Sequence, residues 1–446
     1  ELHNSTAAPV DIGGWYLSDS GNDLLKYMIP AGTVIPAGEY AVFDEGDFNP
    51  TPLTPAANHF ALSGSHGDSV WLVVPDGSGT EVALIVDQVE FGATFNGVSL
   101  GRPDDSSPRL VPLQERSFGG KNGPHQQSQL VVTEVHYHPA TASPATLAIE
   151  PTIEPSDLEF VEIYNRSTEV IDLTNWRLRG DGDFNFSVGS SIAGGATMVL
   201  VRFDPSDIAN ATRLAAFRTE YGLDATVTLA GPMDPSLGNS YGLVKLRKPD
   251  MAPVDEPTVV PSVLVDEVYY DDSVPWPEEA DAEGMSLQRV GADALGNDVG
   301  SWRGATPTPG TLRFVPSIQS IAINGGDTSR SVITSVDIQF STEVTDPTAA
   351  LSLVNVTTDE QVSGLVVQSQ DINGKTLVNL TFGPGTSVIQ RTVGANTLAG
   401  GDYELHVMAS LITSGSGAVS MEHDVVWGDD PADQFFRKYG DHDGND

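Results

Sequence analysis

Glu162-Ile163-Tyr164-Asn165, followed by Ile171-Asp172-Leu173-Thr174-Asn175-Trp176-Arg177-Leu178, is the stretch on which the reading of the fold turns. The chain opens on a parallel run, Glu1-Leu2-His3-Asn4 and then Val10-Asp11-Ile12-Gly13-Gly14-Trp15-Tyr16-Leu17, each position offset by 161 residues. Four residues are then lost, and Ile35-Pro36-Ala37-Gly38 meets Ile192-Ala193-Gly194-Gly195 at an offset of 157. Further on, Val86-Asp87-Gln88-Val89 parallels Val265-Asp266-Glu267-Val268, and Gly97 to Arg102 parallels Gly284 to Arg289. Matches that keep their order over so long a span indicate a duplicated domain.

Each copy reads as short strands of period two, broken by turn residues. In Phe160-Val161-Glu162-Ile163-Tyr164, Phe160, Glu162 and Tyr164 share one face while Val161 and Ile163 share the other. Glu162, beside the Asn165 turn, is expected at a sheet rim. Trp176 and Leu178 fall on one face, where the indole alone can bury ~150–250 Å². Helix-like spacing of Leu214, Ala215, Phe217 and Tyr221 predicts one helical insertion in the second copy, at about residues 205–222.

Composition limits the function. The 446 residues carry 61 Asp+Glu against 22 Lys+Arg, a formal net charge of −39. Without a basic stripe the chain is a poor match for nucleic acid or an anionic membrane surface. Such charge favours solubility and attracts cations. There is no cysteine, which removes disulfides, Cys-ligated zinc and thiol nucleophiles together. No apolar run approaches the roughly 18 residues that a membrane span needs. The chain starts at Glu1 without an initiator Met, so it is expected to be a piece of a longer protein whose first copy lacks its lead-in strand.

The run Glu-aliphatic-His/Tyr-Asn, then Asp-aliphatic-x-x-Trp-x-Leu, then Ile-x-x-Gly resembles the lamin tail domain, an immunoglobulin-like β-sandwich. The second copy resembles its bacterial form throughout, with Thr133-Glu134-Val135-His136-Tyr137-His138-Pro139 leading in and Trp302-Arg303-Gly304-Ala305-Thr306-Pro307-Thr308-Pro309-Gly310 closing. The resemblance implies an all-β fold of tandem immunoglobulin-like β-sandwich domains, with one short helical insertion in the second. It also implies a secreted or cell-surface multidomain setting, in which such modules serve attachment.

From Phe314 the pattern changes. Val336, Ile338 and Phe340 alternate cleanly, and Gly401 to Val407 resembles a late strand of bacterial immunoglobulin-like domains. The expected domains are 1–126, 127–313 and 314–428, followed by a partial module at 429–446. In that last stretch Pro431 to Gly440 is expected to form a short amphipathic helix. It leads into Asp441-His442-Asp443-Gly444-Asn445-Asp446, which resembles the opening of an EF-hand-type calcium loop, as in dockerin modules. Asp441, Asp443 and Asn445 would supply oxygen ligands 1, 3 and 5, which makes calcium the one cofactor implied. Asp446 stands where such loops usually have Gly, and the acid at position 12 is not in the chain.

Other constellations carry less. His136 and His138 flank Tyr137 and would share a strand face, but no third ligand is spaced to join them. Asp181-Gly182-Asp183-Phe184-Asn185 imitates a calcium loop yet has Phe186 and Ile192 at positions 6 and 12, so a hairpin turn is the reading. Glu1 and Glu162 occupy equivalent places, but no second acid is singled out to complete a catalytic pair. No Gly-rich phosphate loop, G-x-S-x-G or H-E-x-x-H is present. The expectation is a non-catalytic adhesion or scaffolding segment with a protein or cell-surface glycan partner. The alternative is a carbohydrate- or calcium-binding accessory region of an extracellular enzyme.

Overall fold

The computed structural model describes residues 1–102, 109–254, 256–372, 374–415, 419–430 and 433–440. It is mostly strands in small sheets, arranged as successive β-sandwiches.

In the second copy a six-stranded sheet runs in the order Leu229–Ala230, Thr197–Val201, Phe160–Asn165, Leu130–His136, Ser286–Arg289, Trp302–Ala305. Only the first pair is parallel. A four-stranded sheet, Phe184–Asn185, Arg177–Gly180, Tyr241–Pro249 and Ser262–Asp271, packs against it. Val161 and Ile163 point into the core between the sheets and meet Trp176, Leu178, Val244 and Leu246. The opposite face is covered too. Phe160, Val199 and Val201 lie under Ala216 and Phe217 of the helix Ala211–Glu220, which is preceded by a 3-10 turn at Ile208–Asn210. The helical insertion expected at 205–222 is present, with Asp207 capping the turn through Ala209 N–H at 2.9 Å.

The alternation read from Phe160 to Tyr164 holds, but Glu162 is not at a rim. It sits on the third of six strands and is 1% exposed, because the segment after Ala305 crosses over the outer face at that point.

The first copy keeps the plan with a smaller core of Ile12, Leu17, Ile29, Ile35, Phe60 and Leu72. Its four-stranded sheet is Tyr27–Met28, Tyr16–Ser18, Asp68–Pro75 and Val82–Phe91. Leu2–His3 pairs with Tyr40–Ala41, and Leu100–Gly101 with Val111–Pro112.

Identical side-chain devices hold equivalent turns in the two copies. Asn4 donates through Nδ2 to the carbonyls of Ala8, Ile35 and Pro36 and accepts from Thr6 N–H. Asn165 donates to those of Glu169, Ile192 and Ala193 and accepts from Ser167 N–H. Both asparagines are buried, so a chain reversal inside the fold is fully hydrogen-bonded. Before each tryptophan, Asp11 and Asp172 close an Asx turn on Gly13 and Thr174. The next residue is left-handed in each, Gly14 at φ 83° and Asn175 at φ 62°, which aims the indole at the core.

The third segment is another pair of facing sheets. One is Ile318–Ile323, Ser335–Phe340, Lys375–Phe382 and Leu365–Ile372, and the other is built on Leu351–Asn355, Gly401–Val407 and Val425–Trp427. Val336, Ile338 and Phe340 are all buried between them, as their spacing predicts. The tail differs from expectation. Phe436–Arg437 is a strand paired with Gly401–Asp402, not part of a helix. Phe435 is the reason: it is 2% exposed and packs on Tyr403 and Trp427 with ring centroids 5.5 and 5.0 Å away. Burying that ring outweighs the weak helical preference of a short segment. Among the described residues no helix is long and apolar enough to cross a membrane.

Candidate functional site

The densest buried chemistry is a pair of carboxyls on the six-stranded sheet. Glu134 and Glu162 stand opposite each other on adjacent antiparallel strands, next to a bulge between Val132 and Glu134. Glu134 is 2% exposed and Glu162 1%. Oε1 of Glu134 accepts from Ser286 Oγ, from Gln288 Nε2 at 3.4 Å and from Thr308 N–H at 3.0 Å. Glu162 accepts from Thr133 Oγ1 at 2.6 Å on Oε1 and from Gly310 N–H at 2.6 Å on Oε2. No cation lies within 4.0 Å of either among the described residues, though Arg289 and Arg313 help to line the small void beside them.

Burial pushes both carboxyls well above the ordinary carboxylate range, and at Glu162 the charge of Glu134 adds to it. Two such acids could in principle act as an acid and a base. The space forbids a substrate: the void they share is about 10 Å³, room for at most one water. A glycosidase pair needs a sugar between its carboxyls. What this pair can do is hold main-chain donors of the crossing segment. The first copy repeats half of the device, since Glu1 Oε2 accepts from Gly119 N–H at 2.5 Å.

Beside the pair, Arg289 and Asp266 form an ion pair in which both side chains are less than a tenth exposed, Nη1 to Oδ2 2.5 Å. Arg289 also donates to the carbonyls of Val132 and Ala294, lies over the Trp302 ring, and Asp266 accepts from Val132 N–H. Arg102 and Asp87 make the equivalent pair in the first copy at 2.8 Å, with far more solvent around it.

Among the described residues no third ligand joins the two histidines. His136 is buried against Phe160 and Tyr221. Its Nδ1 lies 3.0 Å from Tyr221 Oη, which itself donates to Leu158 O, so Nδ1 carries the proton. Burial pushes the imidazole down to about 3, and it is neutral. His138 lies beyond the strand end, where Nδ1 is 2.5 Å from Asp281. Asp181 to Asn185 forms the expected hairpin, Arg177–Gly180 with Phe184–Asn185, and Asp181 is spent on Leu243 N–H.

A second feature is a polar cleft of about 670 Å³ where the two copies and the third segment meet. Asp293 occupies its centre, in ion pairs with Arg166 of the second copy and Lys375 of the third segment. Burial opposes its charge, but the two cations outweigh that and hold the carboxyl below its usual range. Gln127 bonds Arg166, Gln319 accepts from Lys375 at 3.0 Å, and Gln114 and Gln339 complete the walls.

Asp441, Asp443 and Asn445 lie outside the described residues. Among the described residues no group of three or more His, Asp or Glu is arranged to hold a metal ion. The sequence pointed to Glu162 through its equivalence to Glu1, but not to Glu134, which has no counterpart in the first copy to compare. Gly119 and Gly310 were equally hidden, since only their backbone N–H takes part.

Residues 1–92 and 124–250 match the lamin tail domain family. One solved structure, the crystal structure of a DUF4876 family protein from Bacteroides thetaiotaomicron, aligns with 55% of the chain and 84% of its own length, at 10% identity and a TM-score of 0.27. No curated protein matches the chain.

Proposed function

With two lamin tail domain segments in one chain as the premise, we propose that this protein is a non-catalytic adhesion or scaffolding segment of a secreted or cell-surface protein. Its folding units would be residues 1–126, 127–313 and 314–428. One observation carries the reading: the polar groups that occupy equivalent places in the two copies are spent on their own backbone. Asn4 and Asn165 close reversals, and Glu1 and Glu162 hold the segments that leave each sandwich. Rigid modules with fastened exits suit a spacer or anchor, which must keep its shape under load rather than open around a substrate.

The test is retention of the purified chain on intact cells and on protein-coated surfaces, before and after enzymatic removal of glycans. Saturable retention that survives deglycosylation supports attachment to protein. Hydrolysis of a glycan or peptide substrate by the chain would overturn the reading.

The second reading, a carbohydrate-binding accessory region, is favoured by the junction cleft. Carboxamides from Gln114, Gln127, Gln319 and Gln339 offer donors and acceptors suited to sugar hydroxyls, and Leu377 gives an apolar wall. Glycan arrays probed with and without calcium separate the two. Specific retention that is lost on Gln339→Ala would favour this second reading, and dependence on calcium would extend it to the loop begun at Asp441.

A further inference from the structure

We propose that the Glu134–Glu162 pair is a proton-dependent clasp on residues 306–314, and that its charge state sets how firmly the third sandwich is held on the second. The crossing segment is the only covalent path between the two. It is fastened at Thr308 and Gly310 by the two carboxyls, and Gln288 Nε2 adds bonds to Thr306 O at 2.7 Å and Thr308 Oγ1 at 3.1 Å. At its end Phe314 lies edge-on to Tyr164, and just beyond it Val315 N–H reaches Val290 O at 3.0 Å. Ser317 then joins the third sandwich through Ser341.

The charge argument is geometric. One negative charge in this place is well served by two main-chain N–H donors and two hydroxyls. Two negative charges on facing residues of adjacent strands, out of water and without a paired cation, are not. The surrounding groups relieve them only weakly. From the Ser286–Arg289 strand comes Arg289, already committed to Asp266, and from Trp302–Ala305 comes Arg303, whose charge reaches Glu134 but whose guanidinium donates to Gln288 Oε1 and Arg313 O and makes no ion pair with it. Arg313 approaches from the crossing segment itself. On the helix side stand neutral His136 and Tyr221, and from the start of the Glu162 strand another buried carboxyl, Glu159. When the last proton leaves, the cheapest relief is for the segment to lift and admit water, since the sheet below is held by the core. The raised affinity of both carboxyls for protons places that loss above the ordinary carboxylate range.

The chain has no cysteine, so Thr311→Cys, at an exposed position of the segment, can carry a single fluorophore. The fluorophore's anisotropy is then followed from about pH 6 to about pH 9.5, a range outside ordinary carboxylate titration. The expected result is a several-fold shortening of local rotational correlation time as pH rises. It should be absent in Glu134→Gln, whose carboxamide oxygen still accepts from Thr308 but cannot ionise. Glu162→Gln serves in the same way should the first variant not fold. A flat profile in the unsubstituted pair overturns the proposal, and so does an equal fall in the glutamine variants.

Discussion

Arg289 and Asp266 are joined by a 2.5 Å ion pair almost out of solvent, while Arg102 and Asp87, their equivalents 187 and 179 residues earlier, make a 2.8 Å pair that stays partly wet. One duplicated interaction therefore exists at two degrees of burial. Removing one partner of a buried pair strands the other charge and costs about 3–5 kcal/mol, whereas exposed pairs contribute about 0–1 kcal/mol. Asp266→Ala is expected to fall in the first range and Asp87→Ala in the second. Urea unfolding of the two variants, compared with the parent chain, measures the contrast, and equal losses would contradict it.

Asn165 anchors a buried reversal through three donated and two accepted bonds. Asn165→Ala leaves the carbonyls of Glu169, Ile192 and Ala193 without that partner, at about 1 kcal/mol for each of the three donated bonds and about 3 kcal/mol for them together. Asn4→Ala should cost about as much in the first sandwich, with the second unchanged. Differential scanning calorimetry, which resolves transitions of separate units, assigns each loss to its own copy.

His136 sets an acid limit. It is held neutral by burial, with its affinity for protons pushed down to about 3, while an unfolded chain's histidine takes a proton near pH 6.5. Its contribution is present above about pH 6.5 and is lost progressively as pH falls toward 3. The glutamate pair acts in the opposite sense, its stability being lost as pH rises past the ordinary carboxylate range. The informative quantity is the difference between the parent chain and His136→Phe, in which the pair cancels. That difference should shrink between pH 7 and pH 4, read as the shift of the urea midpoint.

Phe435 ties the tail to the third sandwich. Phe435→Ala is expected to destabilise that unit by about 3–5 kcal/mol, the usual cost of emptying a large core position. Ending the chain at Asp430 should do at least as much damage. If residues 433–440 instead formed an independent helix, both changes would leave the unfolding of the third sandwich untouched.

Much of this was legible in the residues because it is periodic or repeated. Val161 and Ile163 alternate with Phe160 and Glu162, and the structure sorts them onto two faces as read. The helical insertion was signalled by Leu214 and Phe217. What the residues did not disclose depends on the crossing segment. Glu162 looked like a rim residue because local alternation says nothing of a strand passing above it. Glu134 could be found only by knowing which strands are neighbours. The tail misled for the opposite reason: Gln434-Phe435-Phe436-Arg437 has a helix-like polarity, and only the waiting pocket between Tyr403 and Trp427 pulls it straight.

Asp293 between Arg166 and Lys375 makes the meeting point of the second and third sandwiches a salt-tuned joint. The rest of the molecule pulls against it, because a surplus of 39 negative charges drives neighbouring sandwiches apart. The two forces fade at different rates. At about 0.01 M salt, where the screening length is about 30 Å, repulsion reaches across whole modules; at about 1 M it reaches about 3 Å, while a partly buried contact survives. The array should therefore be strained open in dilute water and settle into its jointed form in brine, so that ionic strength acts on it much as slack acts on a sprung hinge.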